Sequence, residues 1–147
     1  MSIWNEFTLV LGEDDRHDIM VMKRVLKQME FQGELVVFTF GKELLDYLLK
    51  EGEYAEASHE FPQLLVLDIN LPGVSGKEIL DRLRQNEDTR HIPVLMCSGS
   101  TSLRDFHDCI SGGANAYIQK SADLTQFMRA CQLFIEGWLV LSRQEFY

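Results

Sequence analysis

The residues best suited to chemistry in this sequence each follow an apolar segment directly. They are the acidic pair Glu13-Asp14, Asp68, the hydroxyl residue Ser98 and Lys120. In a doubly wound α/β sheet the carboxyl ends of the strands open onto one crevice, so these side chains are expected to converge there. Clustered carboxylates raise each other's pKa unless a cation neutralises them. Because oxygen ligands with room for water suit Mg²⁺, the sequence predicts a magnesium site in this crevice.

Asp68 is the residue expected to react. Beside a metal ion its carboxylate can attack a phosphoryl group and form an acyl phosphate, a reaction that needs positioning and charge neutralisation. Lys120 and the Ser98 hydroxyl would supply donors to the phosphoryl group, and the backbone carbonyl of Asn70 is a further candidate metal ligand. Taken alone, Asp68 also has a simpler interpretation, because an aspartate before a turn often makes only local hydrogen bonds.

The elements that must position these residues alternate between apolar strands and helical periodicity. The predicted strands are 7–12, 34–38, 64–67, 92–98 and 116–119. The predicted helices are 16–30, 41–50, one that starts after an N-cap at Ser75, 102–111, and one that starts near Asp123. The segment 51–62 is polar and aperiodic, so we expect a surface loop there. Five strand-helix units in alternation predict an α/β fold with a parallel sheet and helices on both faces.

Composition limits the classes of function. The chain has 147 residues and a formal net charge of -9, so one domain is expected and neither nucleic acid nor an anionic membrane surface is a favoured direct partner. Cys97, Cys109 and Cys131 form no CxxC pair and are predicted to be reduced core thiols. No apolar run approaches the roughly 20 residues of a membrane span, and the sequence favours a cytoplasmic protein.

The spacing of the candidate residues resembles that of the response-regulator receiver domains of two-component signalling. The acidic pair follows the first strand, and Asp68 begins an Asp-x-x-Leu-Pro-Gly-x-x-Gly stretch. Ser98 lies 30 positions after Asp68, and Lys120 lies 22 positions after Ser98. Each motif is weak alone, but together they are typical of the family, over about residues 7 to 138.

The resemblance implies a flavodoxin-like fold, a phosphoryl group received by Asp68 from a sensor histidine kinase, and Mg²⁺ held by Glu13 and Asp14 together with Asp68 and Asn70. It also implies that Ser98 and Lys120 contact the phosphoryl group. Tyr117, three residues before Lys120, matches the family's aromatic switch position. The alternative interpretation of Tyr117 is an ordinary core aromatic residue.

Two positions depart from the family's usual pattern. Ser98 stands where threonine is usual, although a hydroxyl donor is kept. Ser121 follows Lys120 where most members have proline with a cis peptide bond; a cis bond before a non-proline residue costs about 2.5–4 kcal/mol. The Lys-Ser pair, the long loop before the third strand and the aromatic carboxyl end also resemble the single-domain regulators that are paired with bacterial phytochromes.

Two other functions compete with phosphorylation-dependent signalling. One is a small phosphatase with an aspartate nucleophile, which the absence of an evident general acid and of a cap domain disfavours. The other is a degenerate receiver that acts as a scaffold, which the complete set of site residues disfavours. The last helix and the tail 139–147 also carry apolar residues that need to be covered. The tail has two explanations: it folds back on its own domain, or it forms a protein interface such as a homodimer. We favour the interface slightly.

Overall fold

The computed structural model describes residues 7–120 and 123–142. Its single sheet has five parallel strands in the order β2-β1-β3-β4-β5. The strands are β1 (Thr8–Gly12), β2 (Glu34–Phe38), β3 (Leu64–Leu67), β4 (Val94–Ser98) and β5 (Ala116–Gln119). All four residues of β3 are buried, as expected for a central strand covered on both faces. The predicted α/β fold with a five-stranded parallel sheet is confirmed.

Five helices cover the two faces of the sheet. They are α1 (Arg16–Gln28), α2 (Gly41–Leu49), α3 (Gly76–Gln85), α4 (Leu103–Ser111) and α5 (Leu124–Ser142). The apolar residues of α1 and α5 pack on one face, and those of α2, α3 and α4 pack on the other. Side-chain oxygens of Asp15, Ser75 and Ser102 accept hydrogen bonds from backbone amides in the first turns of α1, α3 and α4. The predicted N-cap at Ser75 is therefore confirmed.

Element boundaries differ slightly from the predictions. The first helix was expected to reach Glu30 but ends at Gln28, because Glu30 adopts a left-handed backbone conformation with a φ of 56°. The fourth strand begins at Val94 rather than at Ile92. All three cysteines are buried and free, as predicted. None of the helices within the described residues combines the length and apolarity needed to cross a bilayer.

The segment 51–62 is more ordered than the expected surface loop. It opens with a 3₁₀ turn at Gly52–Tyr54. His59 then stacks on Tyr47 with ring centroids 3.9 Å apart, and its Nε2 lies 2.8 Å from the Tyr47 carbonyl oxygen. Tyr54 meets both rings edge-on. The aperiodic sequence hid this aromatic packing because stacking contacts have no helical or strand period.

The last helix extends into the predicted tail. α5 extends to Ser142, four residues into the segment that was treated as a tail, and Leu139 is fully buried. Val140 and Leu141 are 57% and 60% exposed. Residues 143–147, including the apolar Phe146 and Tyr147, lie outside the described residues. So does Ser121, and with it the question of a cis bond after Lys120.

Candidate functional site

Three carboxylates meet at the carboxyl ends of the two central strands. Glu13 and Asp14 follow β1, and Asp68 follows β3. One oxygen from each of the three carboxylates lies within 4.8 Å of the others. Glu13 and Asp68 are buried, whereas Asp14 is exposed. The strands bring these residues together because parallel neighbours end at the same edge of the sheet.

Lys120 supplies one positive charge to this cluster from the end of β5. Its Nζ donates to Glu13 Oε2 at 2.7 Å, to Asp18 Oδ2 at 2.8 Å and to Asp68 Oδ2 at 3.1 Å. Its amide donates to the Ser98 carbonyl oxygen at 2.7 Å, which anchors its backbone to β4. The predicted convergence of Lys120 with the acidic residues is thus present, together with one carboxylate, Asp18, that the sequence argument did not select.

The electrostatics of the cluster follow from burial and from the sharing of one ammonium group. Burial raises the pKa of Glu13 to about 7, against the opposing effect of its hydrogen bond with Lys120. Burial alone would lower the pKa of Lys120, but its hydrogen bonds to Asp18 and Glu13 raise that pKa above its usual value. Lys120 therefore stays charged, whereas burial makes Glu13 harder to ionise.

The donor set fits a hard divalent cation. Every candidate ligand among Glu13, Asp14 and Asp68 is a carboxylate oxygen, and a single ammonium balances three negative charges only in part. Asn70, the other expected ligand, lies beside them: its amide donates to Asp68 Oδ1 at 3.2 Å. Asp14 and Asn70 line the same open groove of about 480 Å³.

The turn after Asp68 is held by two close backbone approaches. The Gly76 amide donates to the Ile69 carbonyl at 2.8 Å, and a Cβ at Gly76 would collide with the Asp68 carbonyl oxygen. From α2, the Gly41 amide donates to the Pro72 carbonyl at 2.9 Å, and a Cβ there would collide with the backbone of Val74. Glycine at both positions therefore lets α2 and α3 press against the loop that carries Asn70.

Ser98 lies on the other side of the crevice, at the end of β4. It is fully buried, and its Oγ accepts from the Ser100 amide at 3.1 Å. The Ser100 hydroxyl donates to Asp105 Oδ2 at 2.6 Å, and Asp105 in turn accepts from Lys77 Nζ at 2.5 Å. A chain of hydrogen bonds therefore links Ser98 to α4 and to the first turn of α3. The sequence argument gave a role in the site to Ser98 but not to Ser100, Asp105 or Lys77.

Tyr117 lies at the mouth of a small pocket between β5 and α4. Its ring is half-buried and meets Phe106 edge-on, with centroids 5.5 Å apart. Its hydroxyl lies 3.5 Å from the Ser100 carbonyl oxygen. Ser100, Phe106 and Tyr117 line the pocket, whose volume is about 270 Å³. Tyr117 therefore packs partly against the core and also reaches the loop that follows Ser98.

Comparison with known proteins agrees with this geometry. The family model of the response regulator receiver domain matches residues 9–132. The probable methanogenesis regulatory protein FilR2 of Methanothrix harundinacea is 32% identical over 138 residues, which cover 93% of this chain and 86% of that protein. Response regulator Rcp1 of Synechocystis is 30% identical over 131 residues, covering 89% of this chain and 88% of Rcp1.

Comparison with solved structures also matches this chain to response regulators. The phosphorylated cyanobacterial phytochrome response regulator RcpA has a TM-score of 0.83 and 34% identity, over 91% of this chain and 94% of that one. The Mn²⁺-bound form of Rcp1 has a TM-score of 0.82 and 30% identity, over 90% and 94% of the two chains. With a matching family model, matching sequences and a matching fold, the chain belongs to the response regulator receiver domain family.

Proposed function

We propose that Asp68 of this response regulator accepts a phosphoryl group from a sensor histidine kinase, with Mg²⁺ held by Glu13, Asp14, Asp68 and the backbone carbonyl of Asn70. One observation carries the proposal. Asp68, with only 8% of its surface exposed, lies within 4.8 Å of two further carboxylates and 3.1 Å from the ammonium of Lys120. A buried carboxylate between a metal-ligating set and a fixed cation is placed to act as a phosphoryl acceptor.

The reaction moves one phosphoryl group, so one bond to phosphorus forms and one breaks. An oxygen of the Asp68 carboxylate bonds to phosphorus while the bond from phosphorus to the histidine nitrogen of the kinase breaks, and the electron pair stays on the imidazole. Bound Mg²⁺ supplies positive charge that offsets the carboxylates and the phosphoryl oxygens. Lys120 lies in hydrogen-bonding reach of Asp68 and can donate to a phosphoryl oxygen there.

Signalling would follow from a change at Ser98. We expect its hydroxyl to donate to the phosphoryl group, which competes with the hydrogen bond that it now accepts from the Ser100 amide. Ser100 is linked to α4 through Asp105 and to Tyr117 through its carbonyl oxygen. A local charge change at Asp68 would in this way alter the position of Tyr117 and the surface formed by α4, β5 and α5.

The partners belong to the same proposal. Relatives of known structure include regulators named for phytochromes, so we propose a phytochrome-type sensor kinase as the phosphoryl source. Leu133, Val140 and Leu141 are exposed on α5, and we propose that they contribute to a homodimer.

The net charge of -9 disfavours nucleic acid and anionic membranes as partners. We propose that the chain is a cytoplasmic protein and a single receiver domain with its core at about residues 7–138.

Intact-mass analysis after incubation with acetyl phosphate tests the phosphoryl acceptor. We expect one phosphoryl adduct on the wild type with Mg²⁺, none when EDTA replaces Mg²⁺, and none on Asp68→Asn. Asp81→Asn, which changes an exposed aspartate of α3, is the matched control and should form the adduct normally. No adduct on folded wild type would favour the scaffold hypothesis, and continuous release of phosphate with no adduct on Asp68 would favour the phosphatase hypothesis.

A further inference from the structure

Asp18 stands out because it contacts the reactive cluster without belonging to the expected metal ligands. Its Oδ2 accepts from Lys120 Nζ at 2.8 Å, close to the 2.7 Å of the bond that Glu13 accepts. The acidic groups that could hold a metal within the described residues are Glu13, Asp14 and Asp68, and Asp18 is not among them. It lies instead in the first turn of α1.

The hydrogen bonds around Asp18 fix its position. Its amide donates to the Asp15 carboxylate, which caps α1, at 2.9 Å. Its own side chain is 30% exposed, whereas that of Lys120 is 17% exposed. The Asp18 carboxylate therefore reaches the mostly buried ammonium from the capped first turn of α1.

Lys120 needs such a support because its other two partners change role when the site is loaded. If Glu13 and Asp68 coordinate a cation, their oxygens are drawn towards the metal and the phosphoryl group. Asp18 is then the carboxylate that can still hold the ammonium.

We propose that Asp18 is a positioning residue, which holds the Lys120 ammonium beside Asp68 so that it meets the incoming phosphoryl group. The inference rests on the proposed phosphorylation of Asp68. To that proposal the inference adds one further carboxylate partner of Lys120, which comes from α1 rather than from the end of a strand. Asp18 itself contacts neither the reacting oxygen nor the phosphoryl group in this arrangement.

The test compares the initial rates of adduct formation from acetyl phosphate in Asp18→Asn and in wild type. Loss of the charge should slow the reaction on the order of fivefold, because a misplaced ammonium no longer meets the phosphoryl group. Asp15→Asn is the matched control: it removes one charge from the same end of α1, keeps a capping side chain and leaves the bond to Lys120 in place. It should react at the wild-type rate.

Three further readouts separate positioning from a general loss of structure or charge. In a Lys120→Met background, Asp18→Asn should have no additional effect on the rate. Mg²⁺ affinity, measured by calorimetry without a phosphoryl donor, should differ less than about twofold between Asp18→Asn and Asp15→Asn. The ¹⁵N signal of the Lys120 ammonium, identified by its loss in Lys120→Arg, should broaden in Asp18→Asn and stay sharp in Asp15→Asn.

The outcomes are distinguishable. An unchanged or faster rate in Asp18→Asn, with an adduct on wild type, would overturn the positioning role and leave the phosphorylation of Asp68 intact. An equal slowing in the Lys120→Met background would show that Asp18 acts by another route and would also overturn it. If wild type forms no adduct at all, the proposed function fails and this inference fails with it.

Discussion

The two sides of the crevice are built differently. The acidic side consists of Glu13, Asp14, Asp68 and Lys120, and two of its carboxylates are buried at the ends of central strands. The hydroxyl side consists of Ser98, Ser100 and α4, a helix with a single buried residue, Cys109. Leu103 and Ile110 on α4 are 69% and 41% exposed.

This contrast assigns phosphoryl transfer to the acidic side and the conformational response to α4 on the hydroxyl side. Phosphoryl transfer needs fixed charges, and the acidic side supplies them on strands that cannot move independently. A response needs an element that can shift at small cost, and weakly packed helices are such elements. The Ser100 and Asp105 hydrogen bonds join the two sides, so the buried site can act on the loosely held helix.

The largest effect is expected from Lys120→Met on the acidic side. Removal of the ammonium leaves Glu13, Asp18 and Asp68 without their shared cation, and the phosphorylation rate should fall about 100-fold. Mass analysis of adduct formation over time measures it. Lys23→Met, on the exposed face of α1, is the control. A rate within twofold of the wild type would mean that the acidic side does not depend on this charge.

Glu13→Gln should act on the metal. Loss of one carboxylate from the set of three should weaken Mg²⁺ binding on the order of tenfold, and titration calorimetry checks this. Adduct formation should recover when the Mg²⁺ concentration is raised by the same factor. Glu78→Gln, an exposed change in α3, should bind Mg²⁺ like the wild type. Equal affinity in Glu13→Gln would remove Glu13 from the ligand set.

Lys77→Met should affect the hydroxyl side alone. Lys77 joins α3 to α4 by bonding Asp105 and Asp108, and its loss should speed amide hydrogen exchange in α4 on the order of threefold. Lys77 lines the groove that also contains Asp14 and Asn70, but its ion pairs are with Asp105 and Asp108, so the phosphorylation rate should change less than about twofold. Lys42→Met breaks an ion pair within α2 and is the matched control. Unchanged exchange in α4 would show that this ion pair does not restrain the helix.

His59→Ala should leave both sides of the crevice unaffected. The ring stacks on Tyr47 at the far edge of the sheet, so its removal should lower the free energy of unfolding by about 1 kcal/mol. Urea denaturation measures this, with His107→Ala on the exposed face of α4 as a control. A slower phosphorylation in His59→Ala would show that the segment 51–62 does influence the site.

The acidic side could be predicted from the sequence because its residues follow apolar strands. The unbroken apolar run Leu64–Leu67 is typical of a buried strand. Asp68 comes directly after that run, so its position at the end of the strand follows from the pattern. The same argument placed Glu13 and Lys120. The spacing of Ser98 and Tyr117 was informative only through the resemblance to a family.

Other contacts had no comparable signal. Asp18 was not selected, because an acid in a first helical turn is favoured by the helix dipole with or without a function. Lys77 and Asp105 are 28 residues apart in the sequence and meet only because α3 and α4 pack on the same face of the sheet. The stack of His59 on Tyr47 likewise depends on how α2 directs its side chains. These contacts are tertiary, and no local pattern encodes them.

The most direct test of the central claim is to locate the adduct in the wild-type protein. Acyl phosphates are reduced by borohydride, which converts a phosphorylated aspartate to homoserine, and a peptide map then identifies the modified position. We predict homoserine at position 68 alone, formed only when both Mg²⁺ and acetyl phosphate were present. Homoserine at Asp14, or at any position other than 68, would contradict the account.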